Sequence, residues 1–254
     1  MTEDIKITLI TVVFNSDQTI EDCLESVFQQ SYPCEYIIID GSSVDSTMSI
    51  INKYSSKISK IVSEPDNGIY DAMNKGIAIA TGDVIGFLNA DDVFADETVL
   101  EQVAMAFKEN DIDACYANLV YVDQNNLGSI KRYWRSNAYR DGLFEKGWVP
   151  AHPTFYARRS VYANHGGFDV SYRLAADYEI MLRFLAYCRI RALHIPKVFV
   201  KMRLGGSTNR SIINIIRQNI EIYHSGEKYG IKISPIFLIL KFFNRISQFL
   251  VKPE

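Results

Sequence analysis

Three groups of polar residues stand immediately after apolar, β-branched runs of this 254-residue chain. Asn15 follows Ile5–Phe14, Asp40 follows Tyr36–Ile39, and Asn89-Ala90-Asp91-Asp92 follows Val84–Leu88. Runs of this length and composition read as buried strands. Ligands of open parallel sheets bind beyond the carboxyl ends of the strands, where all three groups then fall. Adjacent hard carboxylates at a strand end suit Mg²⁺ or Mn²⁺ bridging to a substrate phosphate. Neighbouring side chains on an extended segment point opposite ways, so one of Asp91 and Asp92 faces such a metal. Each residue also has an ordinary use as a turn former or helix cap. Their convergence on one edge favours a ligand site.

The elements that must position them alternate. Ile20, Leu24, Val27 and Phe28 form a helical stripe, with Asp17 as its expected cap. Ser42–Asp45 caps a helix reaching Tyr54, Ile58–Val62 reads as a strand and Ile69–Ala80 as a helix. Leu100, Val103, Ala104 and Phe107 mark another helix, with Asp96 at its start. Strands alternating with helices predict a parallel sheet with right-handed crossovers. From Ala114 the pattern changes: a strand Cys115–Val122, a turn Gln124–Gly128 and a returning strand Ile130–Trp134. An aromatic loop Gly147–Tyr156, a helix Asp177–Tyr187 and a strand Val198–Met202 follow.

Composition narrows the function classes. Apolar residues make up 48% and charged residues 22%, which excludes a disordered or collagen-like chain. A net charge of −3 argues against an electrostatic nucleic-acid binder. The four cysteines form no C-x-x-C pair, so they read as reduced thiols of a cytosolic protein. The acidic start Met1-Thr2-Glu3-Asp4 is unlike a signal peptide, and no uncharged apolar run reaches the ~18 residues of a membrane span. The expected location is the cytoplasmic side. There is no G-x-G-x-x-G and no G-x-x-x-x-G-K-[ST], which disfavours a nicotinamide dehydrogenase and excludes a P-loop. Asn15-Ser16-Asp17-Gln18 stands where a nucleotidylyltransferase carries a glycine-rich loop.

Five motifs in order carry a resemblance. Thr11-Val12-Val13-Phe14-Asn15 is similar to a T-V-x-x-N start, and Ile37–Thr47 to a strand-D-G-S-x-D-G-T element with Ser46 in place of glycine. Glu64-Pro65-Asp66-Asn67-Gly68-Ile69-Tyr70-Asp71-Ala72-Met73-Asn74-Lys75-Gly76 is similar to a segment of enzymes of bacterial O-antigen, capsule and exopolysaccharide synthesis. Thr81–Asp92 resembles the strand entering a D-x-D, and Gly166–Asp169 with Ala176–Glu179 resembles a second half. From residue 5 to 210 the sequence resembles the family 2 inverting glycosyltransferases of GT-A fold.

The resemblance implies an α/β fold: a Rossmann-like, mostly parallel sheet flanked by helices. It implies one domain over 1–225, with a nucleotide-sugar-binding half 1–112 and an acceptor half 113–225. Thr11, Val13, Asn15, Asp40, Ser42 and Asp66 would line the nucleoside pocket, with Asp71 and Lys75 near ribose and diphosphate. Lys75 has the equal alternative of covering its helix end. Asn89-Ala90-Asp91 occupies the D-x-D, with Asn89 in place of the usual first Asp and Asp91 as ligand of Mn²⁺ or Mg²⁺. Gly205-Gly206-Ser207-Thr208 resembles a loop closing on the diphosphate, with Arg203 beside it. Asp177 stands at the position of the catalytic base; the residue alone favours a helix N-cap, and the motif around it favours the base. His152, Trp148 and Glu179 are weaker candidates for contact with acceptor or diphosphate; loop histidines and aromatics more often serve structure.

The expected activity is transfer of a sugar, with inversion, from a nucleotide-diphosphate donor to a lipid-linked saccharide such as an undecaprenyl-diphosphate-linked one. The alternative is a non-catalytic nucleotide-sugar-binding or scaffold protein of a polysaccharide assembly complex, which Asn89 motivates. Residues 226–254 form the expected tail. Lys241, Asn244, Arg245, Gln248 and Lys252 fall on one stripe of a helix within Pro235–Lys252, and residues 231–252 hold no acid. That pattern fits a basic amphipathic anchor on the inner membrane face, or else a packed helix or homodimer contact.

Overall fold

The computed structural model describes residues 4–205 and 212–233. Ser207 and the tail segment Pro235–Lys252 lie outside the described residues. β1 (Ile7–Val13) is bordered by β2 (Cys34–Asp40) on one side and β4 (Val84–Phe87) on the other, both parallel to it. β3 (Lys60–Ser63) extends the parallel set beyond β2. The connections are α1 (Ile20–Phe28), α2 (Thr47–Lys53) and α3 (Ile69–Ile79). All seven residues of β1 are buried, as a strand covered on both faces requires.

The expected α/β fold, a sheet flanked by helices, is present, and beyond β4 its sheet is mixed. β8 (Tyr156–Arg158) runs antiparallel between β4 and β6 (Ala114–Asp123). β9 (Ala192–Arg203) pairs parallel with β6 and antiparallel with β5 (Asp92–Phe94). β7 (Asn126–Trp134) returns along β6 from a tighter turn than expected. The path runs β3-β2-β1-β4-β8-β6-β9-β5.

Side chains alternate across β1. Ile7, Leu9 and Val13 pack with α1, α2 and α4 (Val99–Glu109) on one face. Ile10 and Val12 pack with α3, α5 (Arg159–His165), α6 (Ala176–Leu182) and Ile222 of α7 (Ile212–Lys228) on the other. After Leu182 the chain widens into a π-helical turn, Arg183–Tyr187, rather than continuing one α-helix to Tyr187. α7 runs across residue 225, where the sequence pattern places the end of the domain, and the body continues to the buried Ile233. Among the described residues no helix is long and apolar enough to cross a membrane.

Candidate active site

β1, β2 and β3 end level with one another, and β4 stops three residues short of the end of β1. Val13 pairs with Asp40, Asp40 with Ser63, and Ile10 with Phe87. Loops after these positions therefore meet at one edge, and they hold Asn15, Ser42, Asp66 and Asn89–Asp91. Asn15 and Ser42 both adopt left-handed backbone, at φ 47° and 65°. Such conformations persist where surroundings fix them. Here Asn15 Oδ1 accepts Val44 N–H at 2.9 Å, and Asn15 N–H donates to Ser43 Oγ at 2.8 Å. Asp17 makes no cap for α1, whose N-cap position is Thr19; the two loops hold each other instead. Asp45 does receive Thr47 N–H, at 3.0 Å, as expected of a residue starting that helix.

Several residues expected in the pocket hold its walls. Thr11 is fully buried and shares a hydrogen bond with the Tyr36 hydroxyl at 3.0 Å. Val13 packs in the core beside α1. The buried Asp40 carboxylate accepts hydroxyls of Ser43 at 2.5 Å and Ser63 at 2.6 Å. These three shape the edge from beneath, because their side chains are consumed by the interior. Asp66 lies against Gly41, where a Cβ would come within 2.5 Å of Asp66 Oδ2. Asp66 Oδ1 also receives Gly68 N–H at 2.8 Å. Asp71 accepts Asn67 N–H at 2.9 Å. Lys75 reaches back to Glu64 at 2.8 Å and to the Pro65 carbonyl at 2.7 Å. Residues 64–68 are thus a loop braced from α3 by Asp71 and Lys75.

At the end of β4, Asp91 is half-buried and Asp92 is fully buried at the first position of β5. Of the two carboxylates, only Asp91 retains exposure. Burial pushes the Asp91 carboxyl above its ordinary range. Burial, then the charge of Asp91, pushes Asp92 well above it. Asn89 Oδ1 and Asp92 Oδ1 are both buried with no hydrogen-bond partner. Two orphaned oxygen acceptors close to the Asp91 charge fit a hard divalent cation. No group of three or more His, Cys, Asp or Glu gathers for a metal among the described residues, so other ligands must complete such a site. The buried Arg203 donates to the Asp91 carbonyl at 2.9 Å, to the Gln124 carbonyl at 3.1 Å and to Asp22. It fixes the main chain of the Asn89–Asp91 turn.

Asp177 stands in the first turn of α6. Its Oδ1 accepts Tyr178 N–H at 2.8 Å and the Tyr70 hydroxyl at 3.3 Å. Both bonds fall on one oxygen, and among the described residues no hydrogen bond is made to Oδ2. Tyr70 stacks on Phe168 with centroids 5.6 Å apart, and Phe168 meets Phe87 edge-on at 5.5 Å. His152 completes the cluster, stacked on Phe87 at 6.3 Å. Burial depresses its pKa, and the Asp177 charge opposes that. Asn74 secures the group: its side-chain amide donates to Phe168 O and accepts from Phe168 N, each at 2.8 Å. A Cβ at Gly167 would come within 2.3 Å of Asn74 Oδ1, so glycine is required for that approach. Sequence pattern does not single out Tyr70, Asn74 or Phe168, although each lies within one of the motifs.

Two weaker candidates belong elsewhere. Glu179 is fully buried, ion-paired to Arg183 at 3.0 Å and bonded by the Tyr229 hydroxyl at 2.5 Å. Two residues along a helix turn the side chain about 200° away from Asp177, so Glu179 cannot share its site. Trp148 packs among Tyr116, Tyr139 and Phe144, behind α6.

The glycosyl transferase family 2 model matches residues 8–173. The chain belongs to that family. An uncharacterised glycosyltransferase of Mycobacterium tuberculosis is 32% identical over 192 residues, covering 74% of this chain and 72% of the relative. A PGL/p-HBAD biosynthesis glycosyltransferase of Mycobacterium bovis is 26% identical, covering 82% and 80%. Among solved structures, S. aureus TarS matches with a TM-score of 0.68 at 19% identity, over 98% of this chain and 46% of that one. This chain therefore spans about half of TarS. A Pyrobaculum calidifontis mannosyltransferase, in complex with GDP-Man and Mn²⁺, matches with a TM-score of 0.66 at 20% identity, covering 94% and 69%. These likenesses bear out the GT-A fold, and this family 2 member is a glycosyltransferase.

Proposed function

We propose that this glycosyltransferase moves a sugar from a nucleotide-diphosphate donor, best a UDP-sugar, to a hydroxyl of a lipid-linked saccharide in bacterial surface polysaccharide synthesis. The observation that carries the reading is Asp177: it is held by Tyr70 at the start of α6, and among the described residues no hydrogen bond is made to Oδ2. A TarS 1–349 structure contains UDP-GlcNAc and the mannosyltransferase contains GDP-Man, which supports a nucleotide sugar as donor. The basic apolar stretch 235–252 supports an acceptor at a lipid surface.

In this mechanism the acceptor oxygen attacks the anomeric carbon from the face opposite the diphosphate. Its proton passes to Asp177 Oδ2 as the new C–O bond forms and the bond to the diphosphate oxygen breaks. One displacement inverts the anomeric centre, and no carboxylate nucleophile is needed. Asp91 and Asn89, with Asp92 beneath, would hold Mn²⁺ or Mg²⁺. That cation, when bound, offsets charge on the leaving diphosphate. The braced loop 64–68 and the Asn15–Ser43 contact present a preformed floor to the nucleoside.

The test is a screen of purified protein with UDP-, GDP- and dTDP-sugars, Mn²⁺ and lipid-diphosphate saccharide acceptors. Nucleoside diphosphate released in step with a new inverted glycoside supports the reading. Nucleotide-sugar binding without transfer to any acceptor favours the scaffold alternative. Pyrophosphate release from nucleoside triphosphate and sugar phosphate would replace both with nucleotidyl transfer.

A further inference from the structure

The segment leading into Asp177 is held by one distant carboxylate. Glu221, in the middle of α7, accepts three consecutive main-chain N–H groups: Arg173 at 3.1 Å on Oε1, Leu174 at 2.8 Å and Ala175 at 2.9 Å on Oε2. Gln218, one turn earlier, donates to the Leu174 carbonyl at 3.2 Å. The Leu174 peptide is thus gripped on both sides by α7. Ala175 is the N-cap residue of α6 and supplies no side-chain cap. α6 thus brings no N-cap side chain to fix where its first turn begins, and Asp177 is in that turn. Charge-assisted bonds to three amides are far stronger than a surface ion pair.

The geometry points to Glu221 as a positioning residue for the general base, and this rests on the reading of Asp177 as that base. Glu221 touches neither donor nor acceptor in this assignment. It sets the height and rotation of the α6 start, and hence the place of Asp177 Oδ2 relative to the strand edge. Ile222 and Ser225, buried on the same helix, anchor α7 to the body so that the grip has a fixed origin. Misplacing a catalytic group by 1 Å costs on the order of 10² in rate, so a loosened grip should be visible in turnover.

Glu221→Gln tests this. One carboxylate oxygen becomes an NH₂ that cannot accept from the amides it faces. Turnover should fall about tenfold while the donor KM stays within twofold. In an Asp177→Asn background the same substitution should change the residual rate by less than twofold, because there is no base left to position. Full turnover in folded Glu221→Gln overturns the proposal. So does a tenfold loss that repeats in the Asp177→Asn background, which would place the effect elsewhere. If Asp177→Asn alone transfers at the wild-type rate, the reading of Asp177 fails instead, and the two failures are told apart. Should Glu221→Gln not fold, Gln218→Leu removes only the bond to the Leu174 carbonyl. It enters the same cycle, and the same outcomes support or overturn the proposal.

Discussion

The Tyr70 hydroxyl donates to Asp177 Oδ1 at 3.3 Å, across 107 residues of sequence. Tyr70 lies in the first turn of α3 and Asp177 in the first turn of α6. The contact ties the start of α3 to the start of α6. Burial, then the Asp177 charge, pushes the Tyr70 phenol well above its ordinary range, so it remains a donor across working pH. Tyr70→Phe keeps the stacking on Phe168 and removes only the bond. Transfer should fall about tenfold, equivalent to about 1.4 kcal/mol, with donor affinity unchanged. An unaltered rate would mean that the Tyr178 N–H alone orients Asp177.

Asp177→Asn preserves size and can still accept Tyr178 N–H, but it cannot take the acceptor proton. Transfer should drop ~10²–10⁴-fold, the usual contribution of a positioned base. Calorimetry should find nucleotide binding nearly unchanged. Lost binding together with a lowered melting temperature would make Asp177 structural.

Much of this constellation is legible in the chain. β1 and β2 are Ile- and Val-rich runs, and α1 and α4 have clean 3.6-residue stripes, so local pattern and fold agree. Asn15, Asp91 and Asp177 stand at strand ends or a helix start that pattern alone locates. β5 and β8 are invisible to pattern because each has three residues and exists through its partners. α7 is obscured because isoleucines fall on both its faces: Ile222 is buried while Ile216 and Ile220 are exposed. Asn74 and Phe168 are 94 residues apart, and nothing local marks either as half of a pair. Asp40 and Lys75 show the converse. Their residue types announce ligand chemistry, yet Ser43, Ser63 and Glu64 engage them first.

Asp91→Ala should lower turnover by at least ~10²-fold, the scale for one preorganised charge stabiliser. It should also abolish any activation by Mn²⁺. Asp92 is buried with an orphaned oxygen, so Asp92→Asn tests the same site from beneath through the Mn²⁺ concentration needed for half-activation, which should rise. Full activity of the wild-type protein in excess chelator would remove the metal from the scheme.

The tail experiment must respect the body. Ile233 is 6% exposed and packs against Gly226 of α7, so a cut at residue 231 would damage the fold. Removing 235–254 spares it. The full chain should co-sediment with anionic liposomes at low salt, each basic residue near the surface adding up to ~1 kcal/mol. The shortened chain should stay in solution and still bind nucleotide. If the full chain also stays in solution, light scattering should next ask whether the tail joins two copies.

His152 gives the protein a defined response to acid. Packed against Phe87 and beside Phe168, it resists protonation in the folded state, and its pKa is depressed by burial. The unfolded chain takes up that proton near pH 6.5. Between that value and the lower folded pKa the unfolded state binds more protons, so stability falls as pH falls. The contribution is complete above pH 6.5 and is lost through that window. His152→Gln has no proton to take, so its melting temperature should decline less between pH 7.5 and 5.5 than the wild-type value. Asp177 opposes the depression, and Asp177→Asn should therefore steepen the wild-type decline. Parallel pH dependences in wild-type and His152→Gln proteins would show that His152 titrates as freely when folded as when unfolded. An unchanged decline in Asp177→Asn would show that the two side chains do not sense each other.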